Sequence, residues 1–129
     1  MNLQSPKTIV DRSQKNIFDF LSDLNNFKKL MPDSLETFDS DTDSFSFKLK
    51  GMPKIHLKIK ERKPNGMILL DANGGKIEFE LQCIIKELST QQSEIQFFFE
   101  GSFNPLLKMM VKEPLQNFIN ILSKKTVEI

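Results

Sequence analysis

The chain has 129 residues, a length for one domain that buries roughly two-thirds of its unfolded surface. Its 18 Lys and Arg nearly balance 17 Asp and Glu, which argues against nucleic acid as the main partner, since such domains carry a strong basic excess. A lone cysteine, Cys83, excludes an internal disulfide and a multi-cysteine zinc site. The N-terminus lacks a signal-peptide core and no stretch approaches membrane-span length, so a cytoplasmic protein without stable membrane insertion is expected. Twelve Phe with no Trp and no Tyr give an interior rich in apolar area and poor in polar handles.

In chain order, Leu3 to Val10 reads as a first strand. Ser13 is a good N-cap, and Ile17, Phe18, Leu21 and Leu24 follow at helical spacing. Asn25-Asn26 interrupts this helix. Phe27, Leu30 and Met31 suit a second short helix that ends at Pro32. Hairpins come next. Leu35 to Phe38 and Ser44 to Lys50 flank the acidic turn Asp39 to Asp43, and Phe45, Phe47 and Leu49 alternate with Ser44, Ser46 and Lys48. Ile55, Leu57 and Ile59 alternate with His56, Lys58 and Lys60. Pro64-Asn65-Gly66 is a turn, because Pro sets φ and Asn-Gly tolerates positive φ. Met67 to Ala72 is apolar on both faces except at Asp71, and Asn73-Gly74-Gly75 turns the chain again. Two further alternating runs, Ile77 to Ile85 and Ile95 to Phe103, complete an antiparallel meander with one apolar face.

A long helix, Asn104 to Lys125, is expected to cover that face. Asn104 caps it and Pro105 suits its first position. Leu107, Val111, Leu115, Phe118, Ile119 and Leu122 form its inward stripe. Leu106, Met109 and Met110 make its front half apolar almost all round. Pro114 removes one internal amide and predicts a bend, with a cavity entrance beside Met109 and Met110.

Several residue groups have the outline of a site. His56, the only histidine, shares strand parity with Lys58 and Lys60 and falls on the polar face. Cys83 shares parity with Phe79 and Leu81 and falls inside, so the two form no nucleophile–base pair. Asp39, Asp41 and Asp43 have the spacing that opens a calcium loop, but Ser44 and Lys50 stand where that loop requires Gly and a bidentate acid. Lys48, Lys50, Lys54, Lys58, Lys60, Arg62 and Lys63 cluster on two adjacent strands, a pattern that suits a solvated sheet face or an anionic surface. No catalytic residue, metal ligand or cofactor is assigned.

Three segments carry a family likeness: VDRSQKNIFDFLSDLNNFKKLMPD (Val10 to Asp33), FSFKLKG (Phe45 to Gly51) and GSFNPLLKMM (Gly101 to Met110). With the element order they resemble the START-like (SRPBCC) helix-grip superfamily, which takes in polyketide cyclases, plant pathogenesis-related class 10 proteins and lipid-transfer domains. The resemblance covers essentially the whole chain as one domain. It implies an α+β fold in which a curved seven-stranded antiparallel sheet (β-α-α-β6-α) grips the last helix, with a cavity for an apolar ligand between them. The expected lining is Phe47, Leu57, Leu70, Phe79, Leu81, Cys83, Phe97 and Phe99 from the sheet. Phe103, Leu106, Met109, Met110 and Phe118 complete it.

Three functions follow as expectations. The first is a non-catalytic binding or carrier protein for a small hydrophobic or amphipathic molecule. The second is a polyketide cyclase- or dehydratase-like enzyme, which would need Thr37, Asp71, Asn104 or Glu113 to converge in the cavity. The third is a protein- or membrane-interaction module using the lysine-rich face.

Overall fold

Wherever apolar and polar residues alternate in this chain, a strand forms and joins one antiparallel sheet. A computed structural model describes residues 1–72 and 77–129. The strands are β1 (Asn2–Gln4), β2 (Thr8–Val10), β3 (Leu35–Ser40), β4 (Ser44–Leu49), β5 (Ile55–Lys63), β6 (Met67–Ala72), β7 (Phe79–Ser89) and β8 (Gln92–Gly101). Helix α1 (Gln14–Ser22) and a 3₁₀ helix (Leu24–Leu30) lie between β2 and β3, and α2 (Pro105–Thr126) closes the chain. The sheet order is β1-β8-β7-β6-β5-β4-β3, with β2 also paired to β8. The expected turn at Asn73-Gly74-Gly75 lies outside the described residues.

The first strand is broken where one continuous strand was expected, which raises the count from seven to eight. The cause is local. Pro6 has no amide to give the ladder, and Ser5 substitutes for a strand residue with its side chain. Its amide donates to the Phe97 carbonyl and its hydroxyl accepts from the Phe97 amide, both at 2.9 Å. β1 and β2 therefore flank one interruption along the same edge of β8.

Helix boundaries follow from caps. The Ser13 hydroxyl accepts the Asn16 amide, and the buried stripe of α1 is Ile17, Phe18 and Leu21. The break falls at Asp23, whose carboxylate caps the 3₁₀ helix through the Asn25 amide; Asn25 and Asn26 lie within that helix instead of interrupting the first. The Asn104 side chain accepts the Leu107 amide at 2.8 Å, with Pro105 next in the first turn. α2 then runs without a break through Pro114, on an inward stripe of Val111, Leu115, Phe118, Ile119 and Leu122. It packs on β8, β1, β2 and the 3₁₀ helix, whereas α1 packs on β7 and β6.

Between these layers the phenylalanines form an aromatic ladder. Phe38 stacks on Phe45, Phe45 on both Phe27 and Phe47, and Phe47 on Phe118, with ring centroids 5.0–5.5 Å apart. This ladder ties the edge strand β3 to α2.

The acidic turn between β3 and β4 is held by one carboxylate. Asp41 accepts from the amides of Asp43 (2.9 Å) and Ser44 (2.8 Å) and from the Ser44 hydroxyl (3.1 Å). Asp43 instead pairs with Arg62 at 2.9 Å. The hydrogen bonds to its charged form, that of the Asp43 amide first, lower the Asp41 pKa from its ordinary 3.8. A group whose folded pKa is depressed contributes stability above its unfolded pKa and loses it as pH falls through the folded value. The urea midpoint should therefore drop between pH 5 and pH 2, and drop less in Asp41→Asn, which keeps the acceptor but not the titration. An equal drop in both proteins would remove Asp41 from the account.

Candidate functional site: a cleft between the β4 turn and α2

α2 lies over the β1–β8 side of the sheet, so its middle only partly covers the far edge, where β4 and β3 end. Phe118 reaches across to Phe47 (5.0 Å, interplanar 14°) and closes the gap at depth. Above that stack a cleft of about 210 Å³ remains, walled by Pro32, Leu49, Met52, Pro114, Phe118 and Ile121, with Ser34, Lys50 and Asn117 also lining it. The turn on its sheet side is fixed by the backbone. Gly51 has φ 81°, the Met52 amide donates to the Leu49 carbonyl at 3.0 Å, and the Lys50 amide donates to the Ser34 carbonyl at 2.9 Å. A side chain at position 51 would disfavour that positive φ. The turn buries Met52 and leaves Lys50 exposed.

A second cleft of about 290 Å³ shares Pro32 and Ile121 with the first and continues past Asp33, Lys124, Lys125 and Glu128. The Lys125 ammonium donates to the Met31 carbonyl at 2.6 Å and pins the C-terminal end of α2 to the chain before β3. Taken together the two clefts form a trough along one flank of α2. Its shared walls are apolar and its polar groups sit at the two ends.

The residues expected to line a cavity divide into three groups. Phe47, Leu57, Leu70, Phe79, Leu81, Cys83, Phe97, Phe99 and Phe118 are buried in one continuous core, and Phe103 packs half-buried against it. Phe118 also forms part of the cleft wall. Leu106, Met109 and Met110 depart from the expectation, being 71%, 81% and 65% exposed. The reason is angular: α2 spends its inward stripe on Leu107, Val111 and Leu115, and Met109 lies about 200° around the helix from Val111 at 3.6 residues per turn. Met109 instead borders a shallow depression on the outer side of α2 with Lys112, Glu113, Gln116 and Asn117.

The polar candidates do not converge. Thr37, Asn104 and Glu113 are exposed, and Asp71 is half-buried on the polar sheet face, opposite Lys58 and Glu80. His56 is exposed, with its Nδ1 2.7 Å from the Ser46 hydroxyl. Cys83 is buried, and burial pushes its thiol well above the ordinary range, the reverse of what a nucleophile needs. Four of the seven cations on the lysine-rich face are ion-paired. Lys48 pairs with Glu36, Lys60 with Glu80, Arg62 with Asp43 and Lys63 with Glu61.

The cleft's own residues escaped the strand and helix patterns. Pro32, Leu49, Met52 and Ile121 read individually as a helix stop, a strand end, a loop and a flank of the helix stripe. The available signal was Lys50-Gly51-Met52, a glycine turn that presents one cation and one flexible apolar side chain.

Among the described residues no helix is long and apolar enough to cross a membrane. No protein-family model and no curated protein matches the chain. Solved structures do. A START superfamily protein from Mycobacterium smegmatis aligns at 14% identity and a TM-score of 0.68, over 98% of this chain and 94% of that one. A Thermus thermophilus protein aligns at 12% identity and a TM-score of 0.75, over 99% and 95%. A point mutant of Thalictrum norcoclaurine synthase, in complex with a transition-state analogue, aligns at 13% identity and 0.72, over 99% and 94%. The chain has the helix-grip fold of the START-like superfamily. At such identities the likeness is one of fold, which leaves function to the site itself.

Proposed function

We propose that the protein is a binding or carrier protein for a small apolar or amphipathic molecule, with the whole chain acting as one helix-grip unit and the trough beside α2 as its site. The observation that carries this reading is the apolar wall of the cleft, six residues from three separate segments meeting around about 210 Å³. Sites for drug-sized ligands span roughly 300–1,000 Å³, so the first cleft alone takes a small molecule and the continuous trough a longer one. Burial of apolar area at about 25 cal/mol per Å² supplies the affinity. The helix-grip fold supports the reading by analogy, because its sheet and last helix are a common frame for apolar ligands. The absence of converging acids, bases or hydroxyls on the trough's shared wall favours binding over chemistry.

The test is saturable binding of a neutral apolar fluorophore, N-phenyl-1-naphthylamine. Wild type should bind it at one site. Ser34→Trp, which fills the cleft from an exposed position, should abolish that binding while the far-UV circular dichroism and urea midpoint stay unchanged. Unaltered binding in a folded Ser34→Trp protein would refute the assignment.

A further inference from the structure

We propose that the trough selects apolar molecules carrying a single anionic oxyanion head, such as a carboxylate, with the Lys50 ammonium as counter-ion and the tail lying along Pro32 and Ile121. The inference rests on the binding reading above and adds the ligand's charge and direction.

Charge placement carries it. Among the described residues, Lys50 is the one charged residue lining the first cleft, and no carboxylate lines it. Three nearby cations on β4 and β5 are engaged: Lys48 lies 2.6 Å from Glu36, Arg62 2.9 Å from Asp43, and Lys60 is bonded to Glu80. Lys58 is not ion-paired among the described residues but lies outside the cleft lining. Lys50 makes no ion pair among the described residues. Its backbone is held at the cleft's rim, since its amide is tied to the Ser34 carbonyl and the next residue is the φ-positive Gly51. The far end of the trough differs. There two lysines, Lys124 and Lys125, share the lining with two acids, Asp33 and Glu128, so the formal charges cancel, and Lys125 donates to the Met31 carbonyl. Among the described residues that line the trough, a net positive charge thus stands only at the Lys50 end. Asn117, on the α2 side, adds an uncharged polar residue to the lining of the same cleft.

The experiment titrates decanoate and decanol separately, at pH 8, as competitors of N-phenyl-1-naphthylamine on the intact chain. Decanoate should bind about tenfold more tightly than decanol, the ratio that one hydrogen bond to a charged group supplies. Lys50→Gln should bring the two to near equality by weakening decanoate alone, and Lys58→Gln, an exposed position on the polar sheet face outside the trough, should leave the ratio as in wild type. Equal binding of both competitors to wild type, or loss of the preference in Lys58→Gln but not in Lys50→Gln, would overturn the charge assignment while fluorophore binding upheld the site. If the fluorophore does not bind wild type, the site reading and this inference fall together.

Discussion

Phe118→Ala should destabilise the protein by about 3–5 kcal/mol, the range for removing a buried aromatic side chain and leaving a cavity. Phe118 is 1% exposed and stacks on Phe47, which in turn stacks on Phe45. It is the ring through which α2 is joined to the ladder that ends at the edge strand β3, so nothing beside it can move in without unseating a second ring. A domain of this size is stable by about 5–15 kcal/mol, so the loss is a large part of the whole. Urea denaturation measures it directly. Phe98→Ala is the control: that ring is half-buried on the other face of β8 and should cost far less. A cost for Phe118→Ala no larger than for Phe98→Ala would mean that the ladder does not fasten the helix to the sheet.

Gly101→Val should cost about 1–3 kcal/mol through overpacking at the end of β8. A Cβ placed at Gly101 would stand 2.9 Å from the Phe103 ring tip, 3.0 Å from Phe79 Cβ and 3.1 Å from the Glu78 carbonyl oxygen. The Phe103 ring can rotate away, but the other two atoms belong to the first residue of the paired strand β7 and to the backbone just before it, and neither can move without shifting that strand. The N-terminal ammonium also donates to the Gly101 carbonyl at 2.6 Å, and the Gly101 amide to the Met1 carbonyl at 3.0 Å, so a shift there disturbs β1 as well. Gly66→Ala is the matched comparison. Its Cβ would meet only the Gln14 side chain at 4.0 Å, and no loss of stability is expected. Equal behaviour of the two variants would contradict the packing described at Gly101.

Much of the architecture could be read from residue order because it rests on short-range rules. The period of two in Phe45-Phe47-Leu49 and in Phe79-Leu81-Cys83 determined which face is buried, and the caps at Ser13 and Asn104 determined where helices start. The Pro64-Asn65-Gly66 turn took the positive φ its asparagine allows, 67°. What escaped depends on exceptions to those periods. Irregularities between Leu35 and Thr37, Ile59 and Glu61, and Glu87 and Ser89 shift the register of β3, β5 and β7 without any composition signal. The break at Ser5-Pro6 needed knowledge of Phe97, ninety-two residues away in sequence.

The site was less legible than the fold for a related reason. Leu106, Met109 and Met110 are as apolar as any core residue, and their exposure follows from which stripe α2 turns toward the sheet. The cleft, conversely, is assembled from the ends of elements, and ends are where periodicity carries least information. Its formation depends on where α2 lands on the sheet, which is a property of the tertiary packing. Pro114 illustrates the difference. Its presence suggested a bend; it lies inside α2, one continuous helix over Pro105–Thr126, and it lines the cleft.

The most direct test of the central claim is the map of backbone amide shifts when N-phenyl-1-naphthylamine is titrated into the isotopically labelled protein. A ligand seated in the trough should give saturating shifts concentrated at Leu49 to Met52, around Ser34, and at Asn117 to Ile121, with Leu106 to Met110 nearly still. Shifts centred on Leu106, Met109 and Met110, or spread over the surface without saturation, would contradict that placement.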